Sequence, residues 1–213
     1  MKIRKFVCNP FLENSFIVWD EITCESMIID PGCLDSREEK VIQEFIRMNK
    51  LTVKYLVNTH CHLDHIFGNH FIKQTFPGAV FLAPEGDLPL LKNSREQAKR
   101  FGVSFSDSPM PDVYMTEETV IELGSEKFTC LFTPGHTPGE YCLLNAANKV
   151  CFTGDVLFKE SIGRTDLWGG NLQALETSIR SKLFVLDDEI IIHPGHGESS
   201  TIGYEKMNNP FFY

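Results

Sequence analysis

A run of eight residues, NTHCHLDH, places three histidines and one aspartate within six positions. His60 and His62 alternate, so in an extended segment both imidazoles point to one side, while Cys61 points away and packs inside. Asp64 and His65 are adjacent, and they could face a second ion if a turn or helix begins there. Imidazole and carboxylate are good ligands for zinc and for iron or manganese of similar size. The run therefore predicts part of a metal site.

Three later turns carry the same residue types, in the runs LFTPGHT, CFTGDV and IIIHPGHG. They contribute His136, Asp155 and His196, each a few positions after the last apolar residue of a strand-like run. In a layered sheet fold, strand ends at one edge form the crevice where ligands bind, so all seven candidates can converge. Seven ligands are too many for one tetrahedral ion but suit two divalent ions that share a carboxylate. Such a pair activates water for hydrolysis.

The elements that position these residues are mostly short runs rich in Val, Ile and Phe, closed by Pro-Gly or Gly-Asp turns. Two helices are predicted among them. The first begins at Ser36, which forms a capping box with Glu39. The second begins at the N-cap Asn171 and places an apolar stripe on one face: Leu172, Leu175, Ile179 and Leu183. Strands mixed with flanking helices predict an α/β or α+β layered fold.

The chain of 213 residues suits a single domain, 1–213, with the proline-rich segment 84–118 as a surface excursion or lid. Its net charge of −9 disfavours nucleic acid as a partner. No apolar run reaches the roughly 18 residues of a membrane helix, and the N-terminus lacks the apolar core of a signal peptide. We therefore expect no membrane partner and a cytoplasmic location. The seven cysteines, without a Cys-x-x-Cys pair, are predicted to be buried free thiols.

The motifs resemble those of a known family. THCHLDH resembles the His-x-His-x-Asp-His signature of the metallo-β-lactamase superfamily, and TPGHTPG, FTGDVLF and HPGHG resemble its later metal-binding turns in the same order. SIGRTDLWGGN, LETSIRSKL and HPGHGESSTIGYEKMNNPF are similar to the small glyoxalase II-like (hydroxyacylglutathione hydrolase-like) hydrolases within it. The resemblance runs from NPFLENSFIV to the C-terminus. It implies an α/β fold, the αββα sandwich of two mixed β-sheets flanked by helices.

The resemblance also implies a division of the ligands between two divalent metal ions, zinc by default, with iron or manganese compatible. The first ion would be bound by His60, His62 and His136, the second by Asp64, His65 and His196, and Asp155 would bridge them. A hydroxide bridging the ions would hydrolyse a small-molecule thioester similar to S-lactoylglutathione, with Asp64 and Asp155 as the catalytic carboxylates. True β-lactamases of the superfamily lack the bridging aspartate, so Asp155 argues against lactam hydrolysis.

Two residues are candidates for substrate binding. Arg164 occupies a position where the family places a basic residue near the substrate, and it could bind a substrate carboxylate or instead pair with Asp166. Trp168, in a glycine-flanked loop, could line the pocket. Asp30 ends a strand and could either shape that turn or orient a metal ligand.

Two other functions remain open from the sequence. A persulfide dioxygenase of the same fold would use a single iron held by two histidines and one aspartate, with positions left for oxygen. A metal-binding module without catalysis is the third reading, and the complete set of seven ligands disfavours it.

Overall fold

The computed structural model describes residues 1–213. The chain divides into two compact units. The first comprises Met1–Tyr114 and Glu122–Glu126, and the second comprises Met115–Ile121 and Lys127–Tyr213. No helix combines the length and apolar character that a membrane crossing requires.

The first sheet has six strands that follow one another in chain order. They are β1 (Lys2–Cys8), β2 (Glu13–Trp19), β3 (Glu25–Ile29), β4 (Thr52–Val57), β5 (Val80–Pro84) and β6 (Val113–Met115). β1, β2 and β3 pair antiparallel, whereas β3, β4 and β5 pair parallel, so the sheet is mixed. Met27, Ile28 and Ile29 of β3 are all buried, as expected for a strand with parallel and antiparallel neighbours inside a sheet.

Five helices and one 3₁₀ turn accompany this sheet. They are α1 (Ser36–Met48), α2 (Leu63–Ile66), α3 (Asn69–Thr75), the 3₁₀ turn Glu85–Asp87, α4 (Leu88–Lys92) and α5 (Ser94–Phe101). The predicted capping box of Ser36 with Glu39 is wrong, because Asp35 is the N-cap. Its Oδ1 accepts hydrogen bonds from the backbone N–H groups of Arg37 and Glu38.

The segment 84–118 contributes apolar and polar groups to the interior. Leu90, Leu91 and Ala98 are buried, and the Asp87 carboxylate is fully enclosed. The two helices α4 and α5 therefore supply packing in this part of the chain. Its action as a lid stays a prediction.

The second sheet also has six strands, in the order β14-β13-β10-β9-β8-β7. They are β7 (Val120–Leu123), β8 (Glu126–Phe132), β9 (Tyr141–Asn145), β10 (Val150–Gly154), β13 (Ile191–Pro194) and β14 (Ser200–Thr201). β10 pairs with β13 in parallel, and the pairings of β10 with β9, of β8 with β9 and of β13 with β14 are antiparallel. Two further strands, β11 (Leu157–Phe158) and β12 (Ser161–Ile162), pair antiparallel as a separate two-stranded sheet.

Two helices belong to the second unit, α6 (Leu172–Ser178) and α7 (Ile202–Asn208). Asn171 caps α6 as predicted, since its Oδ1 accepts the backbone N–H of Ala174. The helix continues as a π-helical turn, Ile179–Leu183, which the 3.6-residue pattern did not predict. The apolar stripe holds at Leu175, Ile179 and Leu183, which are buried, whereas Leu172 is half exposed.

The seven cysteines are free, as predicted. Six are buried, and Cys24 is partly exposed. Burial raises the pKa of the Cys8 and Cys130 thiols to about 12 and that of Cys61 well above its usual value. These three thiols are therefore protonated packing groups at neutral pH.

Candidate metal-binding residues

The first cluster lies on the loop that follows β4. His60 is fully buried and His62 nearly so, and their ring centroids are 5.0 Å apart. Between them, Cys61 is enclosed in the apolar core of this unit. The alternation predicted for an extended segment is therefore present, with the two imidazoles together and the thiol packed away.

A short helix adds two more candidates to this cluster. His62 is the N-cap of α2, so Asp64 and His65 lie on a helical turn, as the sequence required for both to be usable. The centroid of the His65 ring is 4.0 Å from that of His60, and His65 Nε2 is 3.9 Å from Asp64 Oδ2. Four ligand-type side chains of the first unit thus gather at the end of one strand.

The Asp30 carboxylate fixes how two of these rings are turned. It accepts hydrogen bonds from Thr59 N at 2.7 Å and Thr59 Oγ1 at 2.6 Å, and its Oδ2 lies 3.1 Å from His65 Nδ1. Since the Thr59 hydroxyl donates to Asp30, it accepts from His60 Nδ1, 3.2 Å away. The His60 ring then carries its proton on Nδ1 and presents Nε2 as the ligand atom. Asp30 therefore contacts one metal-ligand candidate, His65, directly and holds a second, His60, through Thr59, which supports the orienting role that the sequence left open.

Other side chains hold the backbone of the same loop. Asp87 Oδ2 accepts the N–H of Cys61 at 3.0 Å, Asn9 Nδ2 donates to the carbonyl of Asp64 at 3.1 Å, and Asn58 Nδ2 donates to the carbonyl of His65 at 3.0 Å. Sequence reasoning did not find Asn9 or Asp87, which are distant in the chain. Neither residue belongs to a sequence pattern that marks it as a support for this loop.

A buried acid, Glu13, lies beneath this loop. The Ser15 hydroxyl donates to Glu13 Oε2 at 2.8 Å and accepts the backbone N–H of Gly32 at 2.8 Å. A side chain at Gly32 would collide with the Glu13 carboxyl, so glycine is needed there. Desolvation raises the pKa of Glu13 well above 4.5, and the neighbouring His65 only partly offsets this.

This pKa shift predicts a pH dependence of stability. Glu13 keeps its proton to a higher pH in the folded chain than in the unfolded one. Its contribution to folding stability is therefore complete below about pH 4.5 and falls as the pH rises towards the pKa of the folded state. In metal-free protein, we expect the free energy of unfolding of Glu13→Gln to rise relative to that of the wild type by up to about 1.4 kcal/mol for each pH unit across that window. Urea unfolding from pH 4 to pH 8 measures the difference. Glu44→Gln, on the exposed face of α1, is the control, and its free energy of unfolding should depend on pH as that of the wild type does. The same pH dependence in Glu13→Gln would contradict the prediction.

The second cluster comes from three separate turns of the second unit. His136 follows β8, Asp155 follows β10 and His196 follows β13. Asp155 Oδ2 is 3.5 Å from His136 Nε2 and 3.7 Å from His196 Nε2. One carboxylate oxygen thus lies next to the same ring atom of two histidines.

Local backbone contacts position this cluster. His136 Nδ1 is 2.7 Å from the carbonyl oxygen of Arg164, so it carries the proton and Nε2 is the ligand atom. A side chain at Gly163 would collide with the carbonyl oxygen of Asp155, and Gly135, with a φ of 147°, allows the sharp turn before His136. The loop Gly163–Arg164 therefore packs against both ligand turns.

The remaining candidates of this unit lie at its surface. Arg164 makes a two-pronged ion pair with Asp166, with both nitrogen–oxygen distances at 2.7 Å. This pairing lowers the pKa of Asp166 to about 2. Trp168 is 57% exposed. A further histidine of this unit, His193, lies three residues before His196, contacts Ser199 Oγ at 2.8 Å and stacks on Phe152.

Comparison with known proteins decides the family. The sequence model of the metallo-beta-lactamase superfamily matches residues 8–196 of this chain. The chain belongs to the metallo-β-lactamase superfamily. It is 40% identical to the hydroxyacylglutathione hydrolase GloC of Haemophilus influenzae over 212 residues, 99% of this chain and 98% of that protein.

Solved structures agree with this family and its fold. The BLEG-1 B3 metallo-beta-lactamase superposes with a TM-score of 0.90 at 29% identity, covering 99% of both chains. TTHA1623 in a di-iron-bound form gives a TM-score of 0.86 at 30% identity, covering 98% of this chain and 99% of that one. The predicted metallo-β-lactamase fold, with two mixed sheets and flanking helices, is confirmed.

Membership makes the chain a metallo-hydrolase of this superfamily, and the histidine clusters suit divalent metal ions. The fit follows from the donor set. His60 and His136 each have Nδ1 hydrogen-bonded to an oxygen, which presents Nε2 as the ligand atom, as is usual for metal-binding histidines. Neutral imidazole nitrogens and carboxylate oxygens are ligands that zinc, iron and manganese share.

Proposed function

We propose that the protein is a dinuclear metal thioesterase of the glyoxalase II type, acting on a small thioester similar to S-lactoylglutathione. The observation that carries the proposal is the position of Asp155, whose Oδ2 lies 3.5 and 3.7 Å from the Nε2 atoms of two histidines. A carboxylate in that place can be shared by two ions. The similarity to a hydroxyacylglutathione hydrolase supports the substrate class.

In this proposal the two clusters divide their ligands between two ions, zinc or else iron or manganese. His60, His62 and His136 would hold one ion, Asp64, His65 and His196 would hold the other, and Asp155 would be shared. When bound, such a pair of divalent ions would supply an activated water and polarise the carbonyl that is attacked.

The chain's own residues then have limited tasks. Asp30, through the Thr59 hydroxyl, would hold His60 with Nε2 as its ligand atom, and the same carboxylate lies against His65 Nδ1. Thiolate is a good leaving group, so the chain needs no strong general acid to release it. This agrees with the candidate ligands, which include no lysine or tyrosine.

We place Arg164 and Trp168 at the substrate. Arg164 is already paired with Asp166, so a substrate carboxylate would compete with that carboxylate for the guanidinium. Trp168, more than half exposed, offers an apolar face for an acyl or peptide portion. With a net charge of −9 and free cysteines, we propose a small-molecule partner rather than nucleic acid or membrane, and the reducing cytoplasm as location.

The test compares two substrates on one preparation. The purified protein is analysed for metals per chain and offered S-lactoylglutathione and, separately, glutathione persulfide. Two ions per chain with thiol release from the thioester is the expected result. One iron per chain, with oxygen uptake on the persulfide and no thiol release, would identify the dioxygenase and overturn the proposal.

A further inference from the structure

A second fully buried acid, Glu140, lies behind the second cluster. It follows the TPGHTPG turn and directly precedes β9. Its carbonyl oxygen accepts the N–H of Thr133 at 2.9 Å, which fixes the backbone on which the side chain is mounted. Burying a carboxyl group costs free energy unless hydrogen bonds compensate, so the hydrogen bonds of this side chain indicate what it does.

The Glu140 carboxylate reaches the backbone of Asp155. Its Oε1 accepts the Asp155 N–H at 2.7 Å. Asp155 stands where β10 ends irregularly, after Gly154 with a φ of 49°. The residues on either side of Asp155 are held by backbone hydrogen bonds, from Gly195 N–H to the Gly154 carbonyl at 2.7 Å and from Val156 N–H to the Thr153 carbonyl at 3.0 Å. The N–H of Asp155 itself is held instead by the Glu140 side chain.

We propose that Glu140 is the positioning residue for Asp155, which it holds at the point where the carboxylate lies between two histidines. The inference rests on the proposed function, because it takes Asp155 as the residue shared by two ions. Gly163 packs against the carbonyl side of Asp155 and Glu140 binds its N–H side. The backbone of Asp155 is thereby held at its N–H and at its carbonyl. Its Oδ2 lies within 4 Å of the Nε2 atoms of His136 and His196.

Two variants of Glu140 test this with zinc affinity as the readout, measured by competition with a chromophoric chelator. Glu140→Ala removes the acceptor, and we expect the weaker of the two zinc ions to lose about 10- to 100-fold in affinity. Glu140→Gln has an amide oxygen that can accept the same hydrogen bond, so it should restore most of that affinity. In thioesterase assays, Glu140→Ala should lower kcat with little change in KM.

Glu205 provides a matched control. It is equally buried, lies in the same unit and accepts the backbone N–H of Glu160 at 2.8 Å. Its other hydrogen bonds come from the side chains of Ser200 and Asn209 rather than from the backbone of a candidate ligand. Glu205→Ala should lower the melting temperature and leave both zinc affinities at wild-type values. Wild-type affinities in Glu140→Ala, or equal losses in Glu205→Ala, would overturn the inference.

Amide hydrogen exchange tests the same contact without a substitution, should Glu140→Ala not fold. In the zinc-free wild type, the Asp155 amide should exchange slowly because Glu140 holds it. Rapid exchange would contradict the inference. A wild type that binds two zinc ions but hydrolyses no thioester would defeat the proposed function alone, since zinc affinity would still report on Glu140.

Discussion

We expect Asp155→Ala to lower kcat/KM for a thioester by about 1,000-fold. The substitution removes the carboxylate that lies within 4 Å of His136 Nε2 and His196 Nε2, so neither ion retains its shared ligand. Metal polarisation supplies several kcal/mol of transition-state stabilisation, and a loss of roughly 4 kcal/mol corresponds to this factor. Thiol release measured at saturating and limiting substrate would show the loss mainly in kcat.

Asp188→Ala is the matched control for this experiment. Asp188 is an exposed aspartate of the same unit that pairs with Lys206, and its removal should leave kcat/KM near the wild-type value. Full thioesterase activity in Asp155→Ala, with two ions still bound, would show that this carboxylate is not the shared ligand.

Removal of the metal ions should abolish hydrolysis and lower thermal stability together. Each ion present at a thousandfold excess over its Kd stabilises the folded chain by about 4 kcal/mol. For a chain of this length each kcal/mol shifts the melting temperature by about 2–4 °C, so we expect chelated protein to melt about 8–16 °C lower for each ion that is lost. Calorimetry before and after dialysis against chelator measures the shift.

Readdition of single metals then identifies the active form. Zinc, manganese and ferrous iron should each restore the melting temperature, because all three accept imidazole and carboxylate ligands. Thioester hydrolysis should return with the same ions. An unchanged melting temperature on chelation would argue that the histidine clusters hold no ion in the purified protein.

The candidate ligands were accessible from the sequence because each follows a short apolar run that reads as a strand. Because each run ends shortly before its ligand-type residue, the sequence predicted that His60, His136, Asp155 and His196 follow strand ends. The structure places each of them just after a strand. The adjacent pair Asp64–His65 required a helix to begin at that point, and α2 begins at Leu63.

The supporting groups were not accessible in the same way. Glu140, Asp87 and Asn9 act on loops 15 to 55 residues away, through backbone groups that leave no pattern in the sequence. The cap of α1 was misplaced by one residue because Asp35 and Ser36 are both good N-caps, and only geometry shows that Asp35 binds the helix N–H groups. The π-helical turn after α6 likewise depends on packing rather than periodicity.

The burial of the thiols has a consequence for which ions the protein admits. Cys61 sits between two ligand histidines, yet it points into the core, and burial with nearby Asp87 raises the pKa of its thiol well above the usual value. A protonated, enclosed sulfur is no ligand for soft ions such as cuprous copper or cadmium. We therefore expect thiophilic metals to gain no thiolate from Cys61, so that only the nitrogen and oxygen donors of the candidate ligands would be offered to an ion.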